Sequence, residues 1–197
     1  MIFKDYYWYF KSALSHKFCD DLISYAKTKE QKEAFIGHSQ KIKNKKARNS
    51  NVVWLNDPWI YKEIHPYINH ANQQAGWNFE WDYSETCQFT KYGKGQHYDW
   101  HCDSFNTPYK SEDINFNNKI RKLSVTCSLS DSKDYKGGEL EFQFRDTKDS
   151  NKTRVCKEIL SKGSIVVFPS HVWHRVKPVK KGTRYSLVMW SLGYPFK

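Results

Sequence analysis

The chain has 197 residues, 17% of them aromatic, and a formal net charge of +11. That length suits one domain with a real core, the aromatic content argues against disorder, and no apolar run reaches the roughly 18 residues of a membrane span. The basic excess admits an acidic or nucleic-acid partner, but much of it gathers at 41–50 and 177–184 without the interleaved aromatics on which single strands stack, so it is read as a lysine-rich solvated surface. The opening MIFKDYYWYF lacks a basic start followed by a clean apolar run, which predicts no secretory signal. Residues 14–27 set Leu14, Phe18, Leu22, Ile23 and Ala26 at helical spacing, with Ser12 or Ser15 as cap. Residues 37–51 are polar, basic and aperiodic, and predict a mobile loop at the site entrance. VVWL at 52–55 predicts a short strand. Asp57 as N-cap and Pro58 at N1 open a helix running toward Gly76, which Pro66 should kink or split.

From Trp77 the pattern changes to short β-branched and aromatic runs: WNFEWDY, CQFTKY, QHYDWHC, KLSVTCSLS, GELEFQF, TRVCKEI, SIVVFP, HRVKPV and RYSLVMWSL. Turn residues separate them at 93–95, 131–138, 146–152, 162–163, 169–170 and 180–182. Many short strands at regular spacing predict a sandwich or barrel. Helices first and strands afterwards predict an α+β chain, one helical layer on a β-sandwich. The whole chain, 1–197, is expected to be one domain, with 1–76 mainly helical support and 77–197 the β core. Gly137-Gly138 is expected to form a tight hairpin with positive φ. The five cysteines, Cys19, Cys87, Cys102, Cys127 and Cys156, are odd in number, scattered and without C-x-x-C. That predicts free thiols in a reducing compartment, hence a cytoplasmic protein.

The stretch GQHYDWHCDSF holds His-x-Asp twice, as His97/Asp99 and His101/Asp103. Strand alternation puts all four on one face, so either pair could supply two metal ligands. Asp103 precedes a long polar segment, where a site can open to substrate. Cys102 turns away by the same alternation. A third ligand could come from His171 or His174. Two His and one carboxylate on one face of an iron leave three positions open. A basic residue after Lys180-Lys181-Gly182 is ordinarily a surface charge, but Arg184 and Ser186 alternate onto one face of an otherwise apolar strand. An Arg there can bond a carboxylate in two places. Trp173 and Trp190 are read as core.

Taken together these segments resemble the Fe(II)- and 2-oxoglutarate-dependent dioxygenases, in particular their prolyl 4-hydroxylase-like branch. LSHKFCDDLI is similar to that branch's first helix and YGKGQHYDWHCD to its Y-x-x-G-x-x-Y-x-x-H-x-D strand. LSVTCSLSDSKDYKGGELEF is similar to its strand, loop and Gly-Gly-Glu segment, and GSIVVFPSHVWHRVKPVKKGTRYSLVMW to its distal His and Arg segment. The resemblance implies a double-stranded β-helix, or jelly roll, with N-terminal helices packed on the major sheet. It implies Fe(II) ligands His101, Asp103 and His174, because Tyr98 stands three residues before His101 and His174 stands ten before Arg184, a spacing of one hairpin that would put the two on neighbouring strands. His97, Asp99 and His171 are the alternatives. For 2-oxoglutarate it implies Arg184, Ser186 and Tyr92, with Thr126 or Ser128 as a further hydroxyl. The expected reaction uses O2, releases succinate and CO2, and hydroxylates an unactivated carbon, best a prolyl residue in a peptide or protein, with ascorbate as a possible reductant. A free amino acid or lysyl side chain is the alternative substrate. Nucleic-acid demethylation is disfavoured because position 190 is Trp, where that branch carries a second Arg. A non-catalytic jelly-roll module is the non-enzymatic alternative.

Overall fold

The computed structural model describes residues 5–34, 44–104, 107–144 and 152–196. In chain order the elements are β1 (Trp8–Phe10), α1 (His16–Lys27), β2 (Lys32–Glu33), β3 (Arg48–Asn49), β4 (Asn51–Leu55), α2 (Pro58–Gln74), β5 (Tyr83–Ser84), β6 (Cys87–Tyr92), β7 (His97–His101) and β8 (Ile120–Ser128). There follow β9 (Tyr135–Gly137), β10 (Leu140–Gln143), β11 (Thr153–Val155), a 3-10 turn at Lys157–Ile159, β12 (Ile165–Pro169), β13 (Trp173–Val176), β14 (Val179–Gly182) and β15 (Arg184–Gly193). The major sheet runs β1-β12-β8-β15-β6-β4-β2, with β5 on β15, and the minor sheet runs β11-β10-β13-β7-β3. All pairings are antiparallel, as a jelly roll requires.

Helix α1 starts where expected: the Ser15 hydroxyl accepts the Phe18 N–H at 3.0 Å. Asp57 precedes α2 but makes no side-chain cap; its carboxylate accepts the Tyr25 hydroxyl at 2.8 Å and so ties the start of α2 to α1. Pro66 does not split α2. Both Pro66 and Lys62 are exposed, so water can serve the Lys62 carbonyl that Pro66 leaves without a donor.

Alternation divides the major sheet into two faces of different chemistry. Its outer face, with Phe89, Leu123, Val125, Cys127, Ile165, Val167, Leu187 and Met189, packs in one buried cluster with Leu22, Ile60, Ile64 and Ile68 of the helices. The inner face turns toward the minor sheet and carries the buried polar residues Gln88, Thr90, Ser124, Thr126, Ser128, Arg184 and Ser186. An apolar cluster including Val166 and Phe168 of β12, with Phe142 and Val176 of the minor sheet, closes the rest of the sandwich interior. A polar lining in the middle of a sandwich has a cost unless it is bonded or serves a ligand.

Several sequence expectations change. Of WNFEWDY only its last residue, Tyr83, is strand, at the start of β5. The Asn72 amide satisfies Phe79 instead, donating to its carbonyl and accepting its N–H, both at 2.9 Å. Residues 37–43 of the expected loop lie outside the described residues. The remainder is not a free loop, because Arg48–Asn49 pairs with β7 and β4 begins at Asn51. Of the turn expected at 146–152, residues 146–151 also lie outside the described residues. Lys180-Lys181-Gly182 is no turn: Val179–Gly182 pairs with β9, so β13 and β15 belong to different sheets and His174 and Arg184 are not on neighbouring strands. Gly137 and Gly138 do have positive φ, +76° and +67°, yet they form no hairpin, since β9 pairs β14 while β10 joins the minor sheet. A Cβ at Gly137 would run into the Pro178 carbonyl.

Cys19, Cys87, Cys127 and Cys156 are buried and Cys102 is half-buried. Burial above all pushes the thiols up, Cys19 to about 11 and Cys87 and Cys156 to about 12, so they stay protonated and inert at pH 8. A thiol titration of the native chain at pH 8 should therefore count one thiol promptly, that of Cys102, and all five only after unfolding. Prompt reaction of two or more would refute this.

Candidate metal centre

His101 ends β7, Asp103 lies two residues beyond it, and His174 sits on β13 directly opposite His101. The three offer ligand atoms that all lie within 4.8 Å of one another. His101 Nε2 is 3.8 Å from Asp103 Oδ1, and His174 Nε2 is 3.6 Å from Asp103 Oδ2. In each His the other ring nitrogen is committed. His101 Nδ1 lies 2.7 Å from the Asp99 carbonyl, and His174 Nδ1 lies 3.0 Å from the Val172 carbonyl. A carbonyl only accepts, so both rings carry the proton on Nδ1 and point the Nε2 lone pair inward. This is how protein metal sites orient imidazole ligands.

The electrostatics agree. Burial first, then His174, hold His101 down at about 3, so the ring is neutral at pH 7. Burial raises the Asp103 carboxyl, but His174, His101, Arg121 and the Trp190 indole outweigh it and bring it to about 2. The centre thus presents two imidazoles and one carboxylate, the donor set that suits Fe(II).

The other His-x-Asp pair is not there. His174 faces His101 and Val176 faces Tyr98, so β7 spends three residues where β13 spends two. That bulge breaks the alternation. It brings Tyr98 and His101 onto the same face, where their rings stack at 3.5 Å. Asp99 is exposed, and the His97 ring lies against the Gly95 and Lys46 carbonyls at 3.2 and 3.0 Å. The expectation that all four residues share a face is corrected. His171 is exposed in the turn after β12 and is not one of the three convergent ligand residues.

Arg184 is 2% exposed. Its Nη1 donates to Ser186 Oγ at 3.2 Å, and among the described residues it forms no ion pair. Tyr92 is its direct cross-strand partner, with the guanidinium 5.6 Å from the ring centre. Gly138 makes room for it, since a Cβ there would meet Arg184 Cδ at 3.1 Å. Of the two hydroxyls left open by the sequence, Ser128 stands opposite Ser186 and its buried Oγ has no partner among the described residues, while Thr126 stands opposite Val188. A buried cation, an orphaned hydroxyl and a buried tyrosine on one polar face fit one carboxylate of a small diacid.

Sequence reasoning missed three features. Arg48 is buried on β3 and lies 4.4 Å over the Tyr98 ring, which also stacks on His101. Arg121 makes a bidentate pair with Glu85, 2.6 Å on both bonds, and stacks at 3.8 Å on Trp190. Trp190 is therefore buried, as expected, but on the site's side of the sheet. Ser124 and Ser170 bond at Asp103. None stands in a pattern whose spacing signals a site.

A family model described as the 2OG-Fe(II) oxygenase superfamily matches residues 87–192, more than half of the chain. A PKHD-type hydroxylase of Synechococcus sp. (strain CC9605) is 37% identical over 102 residues, covering 51% of this chain and 38% of that protein. The chain thus matches well under two thirds of that relative's length. Among solved structures, a Pseudomonas putida prolyl-4-hydroxylase aligns with TM-score 0.67 at 18% identity, over 95% of this chain and 93% of the other. A Trichoplax adhaerens prolyl hydroxylase in complex with a hypoxia inducible factor peptide fragment aligns with TM-score 0.66 at 16% identity, over 95% and 84%. At such identities the likeness speaks for the fold.

Proposed function

Since the chain belongs to the 2OG-Fe(II) oxygenase superfamily, we propose that it is an Fe(II)- and 2-oxoglutarate-dependent dioxygenase that hydroxylates a prolyl residue in a peptide or protein. The observation that carries this is the joint presence of two convergent imidazoles and a carboxylate with a buried Arg184, without an ion pair among the described residues, on the polar inner face of the same sandwich. His101, Asp103 and His174 would hold Fe(II). Arg184, Ser186, Ser128 and Tyr92 would take the far carboxylate of 2-oxoglutarate, the Arg through two parallel bonds and the hydroxyls as donors beside it. When bound, iron, co-substrate and O2 supply the oxidising power: one oxygen atom enters a substrate C–H bond and the other leaves in succinate, with CO2 released. The chain's own part is to hold the imidazoles in one tautomer, keep Asp103 ionised, neutralise the diacid and exclude water. Ascorbate is the proposed reductant.

The prolyl assignment is supported by the PKHD-type hydroxylase names of the relatives and by the peptide-bound neighbour. Chains 1–197 acting as one domain, and a cytoplasmic location, follow the same reading; the buried free thiols support a reducing compartment. Among the described residues no helix is long and apolar enough to cross a membrane. The test is mass spectrometry of a proline-containing peptide library incubated with the chain, Fe(II), 2-oxoglutarate and O2. A +16 Da product on proline with matching succinate is expected. Succinate with +16 Da on lysine or on free amino acids would move the substrate class, and absence of succinate in every condition would leave a binding module.

A further inference from the structure

We propose that the buried hydroxyl pair Ser124–Ser170 is a positioning device for Asp103: it holds the carboxylate in its metal-binding orientation and so sets the metal affinity of the centre. The inference rests on the reading of His101, Asp103 and His174 as ligands. Asp103 lies past the end of β7, so no strand ladder fixes it. The turn after β12 does so instead. The Asp103 and Ser104 N–H groups both donate to the Ser170 carbonyl, at 2.8 and 2.9 Å, and the Ser170 N–H donates to the Lys122 carbonyl of β8 at 3.0 Å. One serine thereby ties the Asp103 backbone to the major sheet.

The side chains repeat that link. Ser124 Oγ is 2.7 Å from Asp103 Oδ2, and Ser170 Oγ is 2.8 Å from Ser124 Oγ. An ionised carboxylate can only accept. The Ser124 proton must therefore point to Asp103, which leaves the Ser124 oxygen to accept from Ser170. The hydroxyls form a directed chain, Ser170 to Ser124 to Asp103, and the charge at its end strengthens each bond. Both serines are wholly buried, so no water stands ready to replace a lost hydroxyl. Across the sheet Ser124 is flanked by Phe168, which has no donor, and by Trp190, whose buried indole Nε1 makes no hydrogen bond among the described residues.

A merely structural hydroxyl pair would change folding stability and leave the metal affinity of the folded protein alone, which gives the test. Mn(II) affinity is measured by titration at fixed pH, the visible spectrum of the Co(II) form reports the ligand geometry, and urea unfolding of the metal-free protein reports folding. Ser124→Ala should weaken Mn(II) binding about 10–100-fold and alter the Co(II) bands. Ser124→Thr, which keeps the hydroxyl, should restore both. Ser170→Ala should weaken binding in the same direction by less, and it carries the test if Ser124→Ala does not fold. Wild-type Mn(II) affinity and Co(II) spectrum in the folded alanine variants would overturn the inference alone. Failure of the unaltered chain to bind one Mn(II) would overturn the ligand reading, and this inference with it.

Discussion

Replacing His101 with alanine abolishes stoichiometric Mn(II) binding, whereas replacing His97 leaves it intact. The contrast is sharp because the two residues read alike in sequence: each begins a His-x-Asp. They part in space through the bulge that gives β7 three residues against two of β13 between the Tyr98 and His101 pairs. His101 ends facing His174 with its Nε2 inward, while both ring nitrogens of His97 lie at backbone carbonyls. Removing an outer partner of a metal ligand already lowers affinity about 10–100-fold, so removing one of three ligands should exceed that and leave no one-to-one complex at micromolar concentrations. His101 is held at about 3 by burial, then His174. Alanine there removes a ligand that needs no proton displaced at pH 7. Calorimetric or paramagnetic-resonance titration of wild type, His101→Ala and His97→Ala decides it. Retained binding in His101→Ala, or lost binding in His97→Ala, would reject the assignment.

The legible parts of the fold were those where one short period dominates. Strands β6, β8, β12 and β15 alternate between apolar residues facing the helices and polar or mixed residues facing inward, and helix α1 carries its own cap. What alternation could not give were departures from it. A bulge is a mismatch between two strands distant in sequence, so nothing local to residues 97–103 announces it. Lys180-Lys181-Gly182 has turn composition, yet tertiary pairing with β9 makes it strand. Arg48 sits in a segment whose charge reads as solvated surface, and only its pairing to β7 brings the guanidinium over Tyr98. Chemistry narrowed the candidate ligands to His and carboxylate, and the resemblance to the dioxygenase family, not the spacing alone, favoured His101, Asp103 and His174 over His97, Asp99 and His171. The serines around Asp103 were not, since a serine in a strand has no signature until its partner is placed.

Arg184→Ala should raise the half-saturating concentration of 2-oxoglutarate steeply while leaving Mn(II) binding nearly unchanged. The residue is almost wholly buried, and among the described residues it donates to Ser186 and no carboxylate pairs with it. A buried cation without a counter-charge is strongly disfavoured, which is the ground for proposing that Arg184 takes an anion arriving from outside. Truncating one partner of a buried charge pair costs about 2–5 kcal/mol, which is about 30-fold to a few thousand-fold in affinity. The proposed metal ligands lie on or just beyond β7 and on β13 of the minor sheet, whereas Arg184 opens β15 of the major sheet, so the two proposed functions can be separated by mutation. Arg184→Lys should recover only part of the loss, because an ammonium is a point charge and cannot replace a planar fork with parallel bonds. Ser128→Ala should act in the same direction but more weakly, since a neutral hydroxyl bond is worth about 0.5–1.5 kcal/mol net. The measurement is succinate formation against 2-oxoglutarate concentration in the four proteins, with Mn(II) titration as the control for folding of the centre. If wild type and Arg184→Ala half-saturate at the same concentration, the diacid is held elsewhere, and the buried guanidinium loses the role that its isolation on the inner face implies.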